Sequence, residues 1–296
     1  MQLQLRNINK SFGEKQVLKD VSFQADGGKA FGLLGRNGAG KTTAIRILMN
    51  VFPADSGSVL LDGAPIDYQK IGVGYLPEER GLYPKKVIVE QLSYFAQLKG
   101  MGKGEAIKAV DFWLDRLGMT EYRNKRLDTL SKGNQQKIQL ITALAHDPQI
   151  IVLDEPFSGL DPVNAILLKE VVKEQIASGK IVLFSSHQMH YIEEFCDSIA
   201  ILNAGKVVLK GDIQEIKKSY PRDKLVLKSF APEEIFSEFG NAVSRLNDGT
   251  LLLKMDSPLE KQAVMQSLSS RFDLEEIKVF EPSLNDIFVE FTGGQV

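Results

Sequence analysis

The sequence predicts an α/β protein in which helices cover both faces of a parallel sheet, followed by a smaller α+β domain. Three observations support this. First, short and fully apolar runs such as AFGLLG, IIVL and IVLF alternate with helix-length segments over about the first 215 residues. Strands of that kind are buried on both faces, as in sheets sandwiched between helices. Second, one of these runs ends in a glycine-rich loop that leads straight into a helix pattern. Third, beyond a polar stretch at 217–223 the order becomes βαββαβ plus a final helix. That is the split-βαβ order of ferredoxin-like domains.

The elements follow in chain order. Segments 3–8 (LQLRNI) and 17–25 (VLKDVSFQA) read as strands, as does AFGLLG at 30–35. The pattern TTAIRILMNVF, 42–52, reads as a helix, and GSVLLDG and GVGYLPE read as strands. Residues 87–144 read as mostly helical, with breaks at 100–104 and 124–128. QIIVLDE is a buried strand, a helix follows near 162–178, and KIVLFSS is a second buried strand. A helix at 188–196 precedes the hairpin SIAILNAGKVVLKG, whose turn is at 203–205. In the last domain KLVLKSF, AVSRL, LLLKM and LEEIKVF read as strands around NDGT, a turn sequence. Its expected core is Leu225, Val226, Leu227, Leu251, Leu253, Ile277 and Val279.

Composition narrows the function. A length of 296 residues fits two domains. Lys plus Arg is 36 and Asp plus Glu is 38, so the formal charge is −2. A near-neutral chain lacks the basic surplus of a dedicated nucleic-acid binder. No apolar run approaches the roughly 20 residues of a membrane-spanning helix, and MQLQLRNINK has no signal-peptide core. The single cysteine, Cys196, allows no internal disulfide and suits a reducing cytoplasm. It sits in an apolar helix pattern, where a buried structural role is expected.

The strongest chemical signal is GRNGAGKTT, comprising Gly35, Arg36, Asn37, Gly38, Ala39, Gly40, Lys41, Thr42 and Thr43. It fits G-x-x-x-x-G-K-[ST] between a buried strand and a helix, where successive backbone N–H groups turn toward a phosphate. Lys41 adds a point charge for the β- and γ-phosphates. Thr42 offers a hydroxyl to Mg²⁺, and the helix directs its positive end at the anion. The second signal is IIVLDE, which ends an apolar strand in two acids. Strand side chains alternate faces, so Asp154 and Glu155 can have separate duties. Asp154 is expected to bind Mg²⁺ and Glu155 to take a proton from the attacking water. Together these two motifs describe a phosphate-loop NTPase.

A third segment, LSKGNQQKIQL at 130–140, resembles the signature sequence of ATP-binding-cassette (ABC) ATPases. Ser131 can cap the following helix, and Gly133 permits close approach to an anion. The resemblance covers about residues 1–215. It implies a P-loop ABC ATPase domain with a mixed sheet core and a helical subdomain at about 84–145. The small ferredoxin-like domain, 224–296, is then an accessory or regulatory α+β domain. By the same resemblance FSGLDP supplies the acidic D-loop residue Asp161, and His187 is the switch histidine that contacts the γ-phosphate. Phe12 is the aromatic that stacks on adenine. Ser131, Gly133 and Asn134 contact the nucleotide of a partner chain. The family's Q-loop glutamine is replaced here by Glu78, which keeps an oxygen for metal or water. Lys132 and Asn134 depart from the usual LSGGQ.

The YLPEERGLYP segment and the small last domain resemble the ATPases of type-2 ABC exporters related to sodium-extrusion pumps. This implies a cytoplasmic-face subunit that binds ATP with Mg²⁺, forms a head-to-tail homodimer and drives a separate membrane permease. It implies no nucleic-acid partner. The segment 78–104, with Leu82, Tyr83 and Val87 expected to be exposed, is the expected docking surface. The alternative, a soluble ABC ATPase acting on ribosomes or DNA, is disfavoured by the single cassette. Only 90 residues separate Lys41 from Ser131, with no sustained heptads.

Overall fold

The computed structural model describes residues 1–79, 81–246, 248–255, 257 and 261–293. It falls into two compact units, one of Met1–Ile213 together with the chain from Phe288 on, the other of Gln214–Ile287. The first unit begins β1 (Gln2–Phe12), β2 (Lys15–Asp26), β3 (Ala30–Gly35), α1 (Lys41–Leu48), β4 (Ser56–Leu61), β5 (Ala64–Pro65) and β6 (Val73–Leu76). It continues α2 (Ile88–Leu98), α3 (Lys103–Arg116), α4 (Lys132–Leu144), β7 (Ile150–Asp154), α5 (Pro162–Ala177), β8 (Ile181–Ser185) and α6 (Met189–Phe195). The hairpin β9 (Ser198–Asn203) and β10 (Lys206–Asp212) closes it.

The apolar runs do become strands buried along their whole length: every residue of β3, β7 and β8 is buried. They lie in a six-stranded sheet of order β10-β9-β3-β8-β7-β6, parallel except for β10. Strands β1, β2, β4 and β5, none of them buried along its whole length, form a sheet of their own, antiparallel and in the order β2-β1-β4-β5. Leu3, Leu5, Leu18, Val21 and Phe23 of that sheet share one core with α1 and with Phe31, Leu33, Val152 and Leu183. Helix α4 crosses β6 so closely that a Cβ on Gly74 would meet the Ala143 carbonyl at 2.1 Å. Only glycine fits there.

Two boundaries differ from the sequence reading. Helix α1 ends at Leu48 rather than near 52, because Asn50 takes a left-handed φ of +57°. The break before α4 is longer than expected, because Gly118 ends α3 at φ +64° and two single 3₁₀ turns follow at Thr120–Tyr122 and Leu127–Thr129.

The helix α7 (Ile213–Ser219) leads into β11 (Lys224–Ser229), α8 (Pro232–Phe239), β12 (Val243–Arg245), β13 (Leu251–Lys254), α9 (Lys261–Arg271) and β14 (Leu274–Val279). The last helix is α10 (Leu284–Thr292). The four strands form an antiparallel sheet of order β12-β13-β11-β14, the ferredoxin-like order. Leu225, Leu227, Leu251 and Leu253 pack with Ile235 and Leu268 of the helices, and Ile277 and Val279 lie against them. Val226 is outside that core, because strand side chains alternate and it faces the other side.

Candidate active site

Sheet order assembles the site. β3, β8, β7 and β6 are adjacent and parallel, so the segments leaving their C-terminal ends meet along one edge. In register, Leu33 lies beside Ser185, Ser185 beside Asp154, and Leu153 beside Leu76. The phosphate-type loop, the His187 segment, the Asp154–Glu155 pair and Glu78 therefore follow four neighbouring strands.

The loop from Gly35 to Thr43 opens α1. Gly38 has φ +80° and Gly40, the residue before the helix, has φ +111°. A Cβ on Gly40 would lie 2.6 Å from Leu18 Cδ2 and 3.3 Å from the Val17 carbonyl. Arg36, Asn37, Gly38 and Thr42 are exposed, while Ala39 and Gly40 are buried. Ala39 N–H donates to the Arg36 carbonyl, and the Ala39 carbonyl accepts from Gly205. The Lys41 ammonium donates to the Gly35 carbonyl at 2.6 Å. Burial lowers its pKa, and the negative charges of Glu155, Asp154 and Glu78 oppose that shift.

Asp154 and Glu155 are both buried. Burial raises the Asp154 carboxyl, as do the neighbouring charges of Glu78 and Glu155, while Lys41 lowers it. Tyr75 OH donates to Asp154 Oδ2 at 3.4 Å. Burial, with the Asp154 charge behind it, pushes that phenol up to about 12. Glu155 sits at φ +49°, a strained conformation for a side-chain-bearing residue. Its N–H is held by the Ser185 carbonyl at 2.8 Å. Its carboxylate accepts from Ser186 Oγ at 2.8 Å and from His187 N at 2.8 Å, and lies 2.6 Å from His187 Nδ1. Of the three residues assigned to catalysis from sequence, Glu155, His187 and Lys41, the first two are thus in direct contact.

Glu78 lines a cleft of about 580 Å³ together with Thr42, Arg46, Tyr75 and Asp154. Gln139 of α4, 2% exposed, donates its amide to the carbonyls of Pro77 and Glu79, on either side of Glu78. Gln136 on the same helix donates to the Pro156 carbonyl at 3.4 Å. Gln91 of α2 binds the Tyr83 N–H and the carbonyls of Tyr83 and Lys86. Sequence reasoning missed these three buried amides and Tyr75. The available signal for Gln139 was a lone polar residue within the apolar run IQLI.

A second cluster lies at the starts of α4 and α5. Ser131 caps α4, accepting from Asn134 N at 3.3 Å. Asp161 caps α5, accepting from Asn164 N at 3.0 Å, and that bond holds its carboxyl low. A Cβ on Gly133 would meet Asn164 Nδ2 at 3.2 Å and Asp161 Oδ2 at 3.7 Å, so these two starts adjoin. Phe12, 51% exposed at the end of β1, packs edge-on against Phe52 with Lys10 beside both rings. Of the expected docking residues Tyr83 is exposed, while Leu82 and Val87 are only half-buried.

For a divalent cation, the Thr42 hydroxyl and the carboxylates of Glu78 and Asp154 share the 580 Å³ cleft. Hard oxygen donors suit Mg²⁺. Among the described residues no three His, Cys, Asp or Glu side chains gather closely enough to hold a metal alone. The donor set fits an ion that arrives with phosphate oxygens completing its shell.

The ABC transporter family model matches residues 18–158. An uncharacterized ABC transporter ATP-binding protein of Bacillus subtilis, YhaQ, is 41% identical over 295 residues, 99% of each chain. The chain belongs to the ABC transporter ATP-binding proteins. Residues 211–292 match the C-terminal domain of DrrA1-3-like ATP-binding proteins. The linearmycin resistance ATP-binding protein LnrL of Bacillus subtilis is 32% identical over 98% of each chain. The Nod factor export ATP-binding protein I of Cupriavidus metallidurans is 31% identical over 72% of each. A solved ATP binding subunit of an ABC transporter matches with a TM-score of 0.67 at 29% identity, covering 74% of this chain and 92% of that one. As an ABC ATPase, the protein is an ATP-hydrolysing transporter subunit. ABC ATPases of this kind use nucleotide with a divalent metal and pair with membrane permeases. Among the described residues no helix is long and apolar enough to cross a membrane.

Proposed function

We propose that this ABC ATPase powers an exporter, working as a head-to-tail homodimer against a separate permease at the cytoplasmic face of the membrane. The observation that carries the reading is that Lys41 faces the charges of Glu155, Asp154 and Glu78, whereas Gly133 adjoins Asp161 and Asn164. Each ATP then lies between Lys41 of one chain and Ser131, Gly133 and Asn134 of the other. The relatives named for linearmycin resistance and Nod factor export support export as the direction.

In this reading the loop N–H groups and Lys41 bind the phosphates, and exposed Phe12 stacks on the base. Thr42, Asp154 and Glu78 hold Mg²⁺, which neutralises phosphate charge when bound. Glu155, fixed by Ser186 and His187, accepts the proton of the attacking water. His187 contacts the γ-phosphate. The 78–104 segment receives the permease through exposed Tyr83, whose ring stacks on Phe95. ATP favours the closed dimer and hence the permease state that fits it. Residues 1–215 form the ATPase domain, and 224–296 the domain that modulates closure.

Sizing chromatography tests the dimer. Glu155→Gln should run as a dimer with Mg-ATP, and adding Ser131→Arg should leave it monomeric with ATP still bound. A double variant that still dimerises overturns the head-to-tail arrangement.

A further inference from the structure

Residues 77–79 lie outside helix and strand, yet Glu78 must place a carboxylate in the cleft that Thr42 and Asp154 share. The peptide units on either side of Glu78 are held by the Gln139 side chain. The Gln139 amide donates to the Pro77 carbonyl at 3.2 Å and to the Glu79 carbonyl at 3.0 Å. An amide –NH₂ has two hydrogens, and these two bonds use both. The two carbonyls flank Glu78, so the clamp fixes the peptide units on either side of it. Gln139 is buried, and an unpaired amide or carbonyl there is costly, so the bonds are held strongly in this pairing.

Gln139 belongs to α4, which Ser131 caps and whose first turn carries Gly133. Gln139 lies eight positions beyond Ser131, or about 12 Å along a rigid rod. One turn nearer the start, on the same face, Gln136 donates to the Pro156 carbonyl next to Glu155. Helix α4 therefore grips the loops of two acids, Glu78 and Glu155, through buried amides. We propose that Gln139 is a positioning residue that ties the place of the Glu78 carboxylate to the position of the signature helix. Its amide ends on the two backbone carbonyls beside Glu78, so it acts through Glu78. The proposal rests on the assignment of Glu78 to the metal-side site.

The test is a double-mutant cycle on the full-length chain, read as Mg-ATPase activity over a range of ATP concentrations. Gln139→Met keeps the length and burial of the side chain and removes both donors. It should lower kcat about tenfold or more, the scale of a small misplacement at a reacting centre, with KM for ATP changed less than about threefold. In a Glu78→Ala background the same substitution should change kcat less than about twofold, because the group it positions is gone. Thermal unfolding checks the fold. Should Gln139→Met fail to fold, Gln139→Asn, which keeps the amide but shortens its reach, enters the same cycle. Wild-type kcat in the single variant overturns the proposal, and so does an equal loss in both backgrounds. Full activity of Glu78→Ala by itself overturns instead the assignment of Glu78, independently of the clamp.

Discussion

Replacing Glu155 by glutamine separates chemistry from binding, and the structure sets the size of each effect. The carboxylate accepts from Ser186 Oγ and His187 N and faces His187 Nδ1. A glutamine can keep its carbonyl oxygen toward His187 and turn its amide toward Ser186. One hydrogen bond of the three is then reversed, at about 1–2 kcal/mol. Removing a charge from a site 5% exposed offsets part of that cost. Stability should therefore change by no more than about 1 kcal/mol. Lys41, Thr42 and the loop N–H groups are untouched, so ATP affinity should stay within about threefold.

Catalysis should change far more. An amide cannot accept the proton of water, and a lost general base costs about 10²- to 10⁴-fold in rate, or about 3 to 5 kcal/mol of barrier. Phosphate release under saturating Mg-ATP, read beside ATP binding and thermal unfolding on the same preparation, distinguishes the three quantities. A variant that binds ATP and hydrolyses it within about tenfold of wild type would refute the assignment of Glu155 as base.

Asp154 is held with its carboxyl raised, so its folded form binds a proton more tightly than the unfolded chain, and ionisation costs stability as pH rises past the unfolded value. Asp154→Asn should therefore raise Tm of the nucleotide-free protein at pH 7 while removing the extra stability that wild type gains from Mg-ATP; a lower Tm without nucleotide contradicts this. Half-buried His146, whose Nε2 lies 3.3 Å from the Val73 carbonyl, is depressed to about 4 by that burial. The unfolded chain protonates first, so stability should fall by up to about 3 kcal/mol as pH drops from about 6.5 to about 4. Denaturant titrations of His146→Gln should show that acid limb flattened, and an unchanged limb rejects the linkage. Gly40→Ala places a methyl 2.6 Å from Leu18 at φ +111° and should cost about 2–4 kcal/mol, read as a lower denaturation midpoint; a shift below about 0.5 kcal/mol argues against that strain. Phe12→Ala should weaken ATP binding about three- to tenfold through lost stacking, with kcat little changed; equal affinities by calorimetry would remove Phe12 from the site.

Much of this was legible in the chain because local sequence dictated it. AFGLLG, IIVL and IVLF are apolar on both strand faces, and only a strand covered on both sides satisfies that pattern. The spacing of Gly35, Gly40, Lys41 and Thr42 specifies a turn and a helix start within nine residues, so its geometry needs no distant partner. The ferredoxin-like order followed in the same way from alternation and one turn sequence. The ends of α1 and α3 were less legible, because a left-handed Asn50 or Gly118 is chosen by how the next segment must turn back.

Tertiary structure decided which of these local pieces share a site. Strand order, absent from the linear pattern, sets β3, β8, β7 and β6 side by side and so gathers Lys41, His187, Glu155 and Glu78 from across the chain. Contact at 2.6 Å between Glu155 and His187, 32 positions apart, depends on that order alone. The same holds for Gln139, whose two bonds reach back about 60 residues to Pro77 and Glu79. A buried amide between apolar neighbours announces that it needs a partner. Which backbone it finds is settled only when α4 packs across β6, close enough that Gly74 can carry no side chain.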